Sequence, residues 1–221
     1  MKKLIEKLND FGVNAKTVST EAELQNLFEK LAPTFLYGGY IQVRNDYKVY
    51  IRTVEFYFHS ERPNGIHDPI VYHRNGRDLD NIPYFPIMTL HAHASGFDIT
   101  FESESEKYRA SALIRSYEVI DKNGHYLKWK RVDDNKSMFV VSDDYEYNKQ
   151  STFLYSLLNG FSLVDDNGIK WVDSSREQTK QIIEKPRQNV FQSNSEWEYE
   201  PIKGMKCKRK WSFTREEHIS L

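Results

Sequence analysis

The apolar and polar positions divide the chain into a helical first part and a strand-rich remainder. Residues 1–10 read as a short helix, and Thr20 with Glu23 forms a T-x-x-E capping box before the amphipathic run LQNLFEKL. Pro33 follows this run, and because proline interrupts helical hydrogen bonds, we expect the second helix to end there. From Phe35 onward, strand-like segments replace the helical ones.

The strand-like segments are short and closely spaced. YIQVRNDYKVYIRTVEFYF predicts two strands joined at Asn45-Asp46, and the segments IMTLHAHA, FDITFES, YRASALIRSYEVI, HYLKWKRV, SMFVV and GIKWV follow, separated by Gly, Asp or Asn. Such spacing favours antiparallel neighbours, because parallel strands need long crossovers. QSTFLYSLLNG, residues 150–160, predicts a further short helix that ends at Gly160.

Length and composition favour a single domain. The chain has 221 residues, of which 39% are hydrophobic, so it can bury a sizeable core. It contains no internal repeat or low-complexity linker. We expect one α+β domain with a mostly antiparallel, curved β-sheet core and peripheral helices. We divide it into a helical N-terminal segment (1–33), a sheet core (34–142) and a region of helix, strands and basic tail (143–221).

The charge balance argues against a global electrostatic attraction to nucleic acid or membrane. The chain carries 31 basic and 32 acidic residues, for a formal net charge of −1, so any site for a polyanion must be local. Cys207 is the only cysteine, which excludes an intramolecular disulfide. MKKLIEKLNDFG lacks the uninterrupted apolar core of a signal peptide or membrane span. We expect a soluble, cytoplasmic monomer.

The stretch RTVEFYFHSERPNGIHDP places one carboxylate, Glu55, inside an aromatic strand. On a strand its side chain shares a face with Thr53 and Tyr57. If that face lines a cleft, Glu55 is suited to act as a general base, with the Tyr57 ring beside it for a planar substrate. If the face meets water, Glu55 is an ordinary solubilising residue. The pattern alone leaves both interpretations open.

The histidines suggest a second kind of site. Five of the seven lie in one central stretch: His59, His67, His73, His91 and His93. His91 and His93 point the same way on a strand, and with Asp98 they form the pattern H-x-H-x-x-x-x-D, which resembles a cupin-like site for a first-row metal ion. The alternative is a set of hydrogen-bonded histidines in a polar cleft.

One buried-looking arginine and one basic run also need an explanation. Arg115 lies mid-strand among apolar residues, where it needs an acidic or phosphate partner, either as a structural salt bridge or in contact with substrate. Near the end of the sequence there is a dense basic run, flanked by Trp197 and Trp211 and made of Lys203, Lys206, Lys208, Arg209 and Lys210. Such a run is typical of a phosphate-tracking surface with stacking rings, or of a solvated edge.

Taken in order, these segments resemble the alkyladenine (3-methyladenine) DNA glycosylase family. TVEFYF is similar to the family signature E-T-E-A-Y-L, and ASALIRSYEVI is similar to A-V-L-L-R-A-x-E-P. LFEKLAPTFLYGGYIQV resembles the opening helix and first strand, and TLHAHASGF resembles the strand before a Gly-Met pair. STFLYSLLNG, EKPRQNV and KRKWSFT resemble G-P-x-K-L-x-x-A-L-G-I, T-P-R-I-G-V and P-W-R-F-Y. The resemblance implies the family's fold, which is formyltransferase C-terminal-like.

The resemblance also implies roles for single residues. Glu55 takes the place of the catalytic acid, and Arg115 that of the arginine that helps to hold the attacking water, together with the main chain near Val190. Tyr57 takes the place of a base-stacking tyrosine. His67 lies where the family has an active-site histidine, and His93 stands in for a second stacking tyrosine.

The implied activity is excision of alkylated or damaged purines in base-excision repair, by water attack and without a cofactor. DNA would be the partner, held through Lys206, Lys208, Arg209 and Lys210. Ser95 and Gly96 occupy the corner where the family has its wedge tyrosine, which favours a single-stranded or damaged duplex substrate. Two alternatives stay open: a catalytically inactive nucleic-acid-binding module of the same fold, and a cupin-like metal enzyme that uses His91 and His93.

Overall fold

The computed structural model describes residues 2–68, 71, 82–93, 96–125, 130–132, 136–138, 163–164, 168–174, 181–187 and 209–216. These residues form the helices α1 (Lys2–Ala15) and α2 (Glu21–Leu36). They also form the strands β1 (Gly39–Val43), β2 (Tyr47–Ser60), β3 (Leu90–His93), β4 (Gly96–Thr100), β5 (Tyr108–Asp121), β6 (Lys130–Val132), β7 (Lys136–Met138), β8 (Ile169–Asp173), β9 (Ile182–Lys185) and β10 (Ser212–Arg215). The predicted helix at 150–160 lies outside the described residues.

The capping box predicted for α2 is confirmed. The Thr20 hydroxyl accepts a hydrogen bond from the Glu23 amide, and the Glu23 carboxylate accepts one from the Thr20 amide. The expectation that this helix ends at Pro33 is wrong, because α2 continues to Leu36. The last turn, residues 34–36, is buried, so its packing outweighs the one hydrogen bond that a proline removes.

The sheet confirms the predicted α+β class with antiparallel strands. Its main path runs β3-β4-β5-β2-β1-β8, while β10 lies between β2 and β9. All strand pairings among the described residues are antiparallel. The register of β2 against β5 shifts on either side of Thr53, and such bulges bend a strand and curve the sheet. The short strands β6 and β7 pair with each other in a separate hairpin.

The two faces of β2 have different chemistry. Val54, Phe56 and Phe58 point towards the helices and belong to the main apolar core. Phe28 of α2 stacks on Phe56, with ring centroids 4.7 Å apart. Every second residue, beginning with Glu55, therefore points to the opposite face. No helix among the described residues is long and apolar enough to cross a membrane.

Strands from late in the sequence complete this sheet beside β1 and β2. β8 pairs with β1, and β10 pairs with residues 53–55 of β2. Trp211, which immediately precedes β10, is only 1% exposed, and its carbonyl accepts a hydrogen bond from the Phe56 amide. The expectation that Trp211 is an exposed stacking ring is therefore wrong, because it packs edge-on against Phe28 in the core.

Candidate active site

The face of the sheet that points away from the helices carries a row of buried polar side chains. Glu55 is paired across the strands with Leu113, and Tyr57 is paired with Ser111. Arg115 falls where the register shifts, because Thr53 pairs with Ser116 and Val54 pairs with Ile114. Arg115 is two residues from Leu113 and so lies on the same face as Glu55, with which it forms an ion pair.

Glu55, Arg115 and Tyr57 form a compact hydrogen-bonded group. Arg115 Nε donates to Glu55 Oε2 at 2.7 Å, and the Tyr57 hydroxyl donates to the same oxygen at 3.1 Å. Arg115 Nη2 lies 3.4 Å from the Tyr57 hydroxyl. Glu55 is 0% exposed and Arg115 is 3% exposed. Burial and the charge of Glu55 raise the pKa of Tyr57 well above its usual value, so the phenol stays a proton donor at neutral pH.

A second buried ion pair lies against this group. Arg187, which follows β9, binds Asp68 through two hydrogen bonds, of 2.6 and 3.2 Å. Its guanidinium is 4.5 Å from the centre of the Tyr57 ring and 4.9 Å from that of Trp211. Burial opposes the charge of Asp68, but Arg187 and Arg209 outweigh it and lower the pKa of that carboxyl. The pair holds one face of the Tyr57 ring against a cation.

Sequence reasoning did not single out Arg187 or Asp68. Arg187 lies in EKPRQNV, where the resemblance points to the main chain near Val190, and Asp68 lies near the end of RTVEFYFHSERPNGIHDP. A buried arginine in a polar segment is a usable signal, because it requires an acidic partner. The identity of that partner does not follow from local spacing, since Asp68 and Arg187 are 119 positions apart.

Two histidines border the Asp68 pair. The Asp68 amide donates to His59 Nδ1 at 3.1 Å, which fixes this nitrogen as an unprotonated acceptor. Burial lowers the pKa of His59 from 6.5 to about 4. The His67 ring lies 5.4 Å from the His59 ring, and the His67 carbonyl accepts a hydrogen bond from Arg209 at 3.1 Å. The predicted residue His67 is thus close to the same buried cluster.

Part of the proposed DNA-binding set is engaged within the protein. Arg209 binds the carboxylate of Glu21, with Nη2 to Oε1 at 2.6 Å, and its guanidinium lies 4.7 Å from the centre of the Trp211 ring. Lys210 is exposed. Three other predicted residues, Val190, Lys206 and Lys208, lie outside the described residues.

Of the proposed metal site, the structure describes the side chains of His91 and Asp98. His91 pairs directly with Asp98 across β3 and β4, so these two residues share a face. The backbone of His93 belongs to β3, but its side chain lies outside the described part of the chain. Among the side chains that are described, no group of three metal-ligating residues comes together. A metal site on His91 and His93 stays a prediction.

Apolar side chains cover the middle of the polar face. Val71 packs on Tyr57 and Leu113, and the partly buried Ile82 and Phe85 join the same cluster. A groove of about 540 Å³ lies elsewhere, between α1 and residues 84–87, and its lining does not include Glu55. We take the buried polar face as the candidate site, because charge and hydrogen bonds converge there.

Glu102 lies two residues after the end of β4. Its carboxylate accepts a hydrogen bond from the Phe85 amide at 2.6 Å and lies 3.8 Å from Arg109. These contacts give Glu102 a structural function, because they hold the segment around Phe85 against the sheet.

No protein-family model matches the sequence, and a search of curated proteins gave no match.

Proposed function

We propose that the protein is a DNA N-glycosylase-like hydrolase that releases alkylated or damaged purines by direct attack of water. The observation that supports the proposal is the meeting of the Glu55 carboxylate, the Arg115 guanidinium and the Tyr57 hydroxyl on one buried face. The sequence resemblance to alkyladenine DNA glycosylases adds to this support, because it assigns the acid and the arginine to the same two positions. The protein would act as a cytoplasmic monomer.

In this mechanism Glu55 is the general base. It accepts a proton from water as the water oxygen attacks the anomeric carbon of the sugar. The bond from that carbon to the base nitrogen breaks, and its electron pair leaves with the base, so no covalent enzyme intermediate forms. Arg115 keeps the carboxylate oriented through a charge-assisted hydrogen bond, and Tyr57 donates a second one.

The remaining predicted residues have positioning functions in the proposal. Tyr57 and His93 flank the base, and His67 contacts the base or sugar edge. The main chain near Val190 helps to hold the water. The DNA backbone is bound by the basic set Lys206, Lys208, Arg209 and Lys210, and Arg209 exchanges its contact with Glu21 for a phosphate. An alkylated purine that carries a positive charge is already a good leaving group, which suits a site whose assigned task is to activate water.

The decisive test compares two buried glutamates that have similar surroundings. Glu55→Gln removes the proposed base, while Glu118→Gln alters a glutamate that is also buried on this sheet and paired with an arginine, Arg215. We expect wild-type protein to release base from an alkylated oligonucleotide, and Glu55→Gln to lower the rate by about 10²- to 10⁴-fold. Glu118→Gln should lose stability to a similar extent and keep the activity.

The assay uses the oligonucleotide in duplex and in single-stranded form, and base release is followed by chromatography. Faster release from the single strand is expected, because Ser95 and Gly96 replace the wedge that keeps a duplex open. Absence of release by the wild type, or undiminished release by Glu55→Gln, would contradict the proposal.

A nucleic-acid-binding module without catalysis is the second candidate. The observation that favours it is the complete burial of Glu55 in an ion pair with Arg115, since a non-catalytic protein would retain such a pair for its structure alone. The same assay separates the two functions. Binding of the oligonucleotide without base release, unchanged in Glu55→Gln, would identify the module.

A further inference from the structure

A second carboxylate shares the face that carries Glu55. Asp98 on β4 and Glu55 on β2 both pair directly with Leu113 on β5. Residues paired in this way point to the same side of a sheet, so the two carboxylates flank Leu113 at a Cα separation of about 10 Å, which is two strand spacings. Asp98 is 1% exposed. A purine whose glycosidic end lies at Glu55 would extend along this face towards Asp98.

A buried hydroxyl lies in the neighbouring row of the same face. Ser111 pairs with Tyr57 on one side and with Thr100 on the other. It is 0% exposed, and its Oγ has no hydrogen-bond partner in the described part of the structure. A buried hydroxyl without a hydrogen-bond partner is unfavourable, so its presence on this face calls for a reason such as a bound ligand.

We propose that Asp98 and Ser111 recognise the hydrogen-bonding edge of the base and select guanine-type over adenine-type bases. This inference rests on the proposed function, because it names the substrate class of the same site. The two residues determine specificity, while the glycosidic bond that breaks lies next to Glu55.

The preference follows from the donors on each base. A carboxylate has two acceptor oxygens and no donor, and the far edge of guanine presents two adjacent N–H groups, at N1 and N2. The corresponding edge of adenine presents one N–H donor beside a bare ring nitrogen, whose lone pair would face a carboxylate oxygen. The Ser111 hydroxyl can donate or accept, so it suits a neighbouring polar atom of either base.

The electrostatics of Tyr57 agree with this placement. Burial and the charge of Glu55 are the main causes of its raised pKa, and the charge of Asp98 contributes in the same direction. Asp98 therefore lies within electrostatic reach of the hydroxyl that binds Glu55. Ile82 and Phe85, both only partly buried, pack on the Tyr57–Leu113 cluster and are the side chains that an entering base would displace.

The first experiment changes Asp98 to asparagine, which keeps the shape of the side chain and replaces one acceptor by a donor. Binding of free 7-methylguanine and free 3-methyladenine is measured by calorimetry, and release of the same bases from oligonucleotides is measured in parallel. We expect wild type to favour 7-methylguanine in both assays. Asp98→Asn should shift the ratio towards 3-methyladenine by about tenfold or more, since asparagine matches a donor beside an acceptor.

The second experiment tests Ser111 with a control on the same strand. Ser111→Ala should weaken binding of 7-methylguanine about three- to tenfold while the melting temperature stays equal or rises, because no internal hydrogen bond is lost. Ser116 donates to the Thr53 hydroxyl at 2.8 Å, so Ser116→Ala should lower the melting temperature and leave base binding unchanged. If Ser111 had only a structural function, its substitution would weaken binding only together with a loss of stability.

The outcomes separate this inference from the proposed function. Binding with a preference that Asp98→Asn reverses, but without base release by wild type, would support the recognition site and refute the hydrolase. Base release with a ratio that Asp98→Asn leaves unchanged would overturn the recognition site and keep the hydrolase. Failure of wild type to bind either free base would also overturn the recognition site.

Discussion

His59 is a buried histidine that the fold keeps neutral. Its pKa is lowered by burial from 6.5 to about 4. Below pH 6.5 the histidine is protonated in the unfolded chain but stays neutral in the native chain. The free energy of unfolding therefore decreases as the pH falls, until the native histidine also protonates near pH 4. At about 1.4 kcal/mol per pKa unit, the full loss is about 3 kcal/mol.

His59→Asn should remove this loss, because an asparagine oxygen can accept the Asp68 amide hydrogen bond without titrating. We expect the free energy of unfolding of wild type to fall by about 2–3 kcal/mol more than that of the variant between pH 7 and pH 4.5. Urea unfolding at several pH values measures the difference. Parallel curves for wild type and His59→Asn would refute the assignment.

Single residues of the candidate site were predictable only in part. The aromatic setting of Glu55 placed it on one face with Tyr57, and the structure brings Arg115 to the same carboxylate. The ion pair between Arg115 and Glu55 was not predictable, because it depends on the register of two strands that are distant in sequence. The sequence did not indicate Ser111, since a serine in a strand usually has a hydrogen-bond partner or faces solvent.

At the scale of elements, the capping box of α2 makes a measurable contribution to stability. Thr20→Ala removes the side-chain acceptor for the Glu23 amide, and we expect the free energy of unfolding to fall by about 1 kcal/mol. Thr20→Ser keeps a hydroxyl at the same position and should retain most of the stability. Thermal unfolding monitored by circular dichroism compares the three proteins. Equal losses in the alanine and serine variants would show that the cap does not contribute.

The elements that sequence analysis located best were those with strong local signals. The capping box defined the start of α2, and Asn45-Asp46 defined the turn between β1 and β2. β9 was missed, because its residues Ile182–Lys185 are half-buried or exposed and show no alternation of apolar and polar positions. The extension of α2 beyond Pro33 was missed because it depends on packing against the sheet.

For the whole molecule, the arrangement of strands predicts an uneven distribution of local stability. β2 and β5 lie at the centre of the sheet, and their residues around Phe56 and Ala112 are buried on both faces. β9 pairs only with β10 among the described strands, and its side chains are half-buried or exposed. Local opening therefore costs much less at β9 than at the centre.

Hydrogen exchange measures this difference directly. We expect the amides of residues 54–58 and 110–114 to exchange at rates that report global unfolding, and those of Ile182–Lys185 to exchange much faster. Denaturant provides the control, since low concentrations should accelerate exchange of the central amides strongly and of the β9 amides weakly. Equal protection of both regions would contradict the expected distribution.

The pairing of β10 with β2 has a consequence for biosynthesis. Glu55 and Ser212 are partners in this ladder. During synthesis, residues 53–55 of β2 can therefore pair with β10 only after Ser212 has emerged from the ribosome. At about 5–20 residues per second, this interval is about 8–30 s. During it a nascent chain presents an open strand edge next to the aromatic residues of β2, which makes it a substrate for chaperones and a point of risk for aggregation.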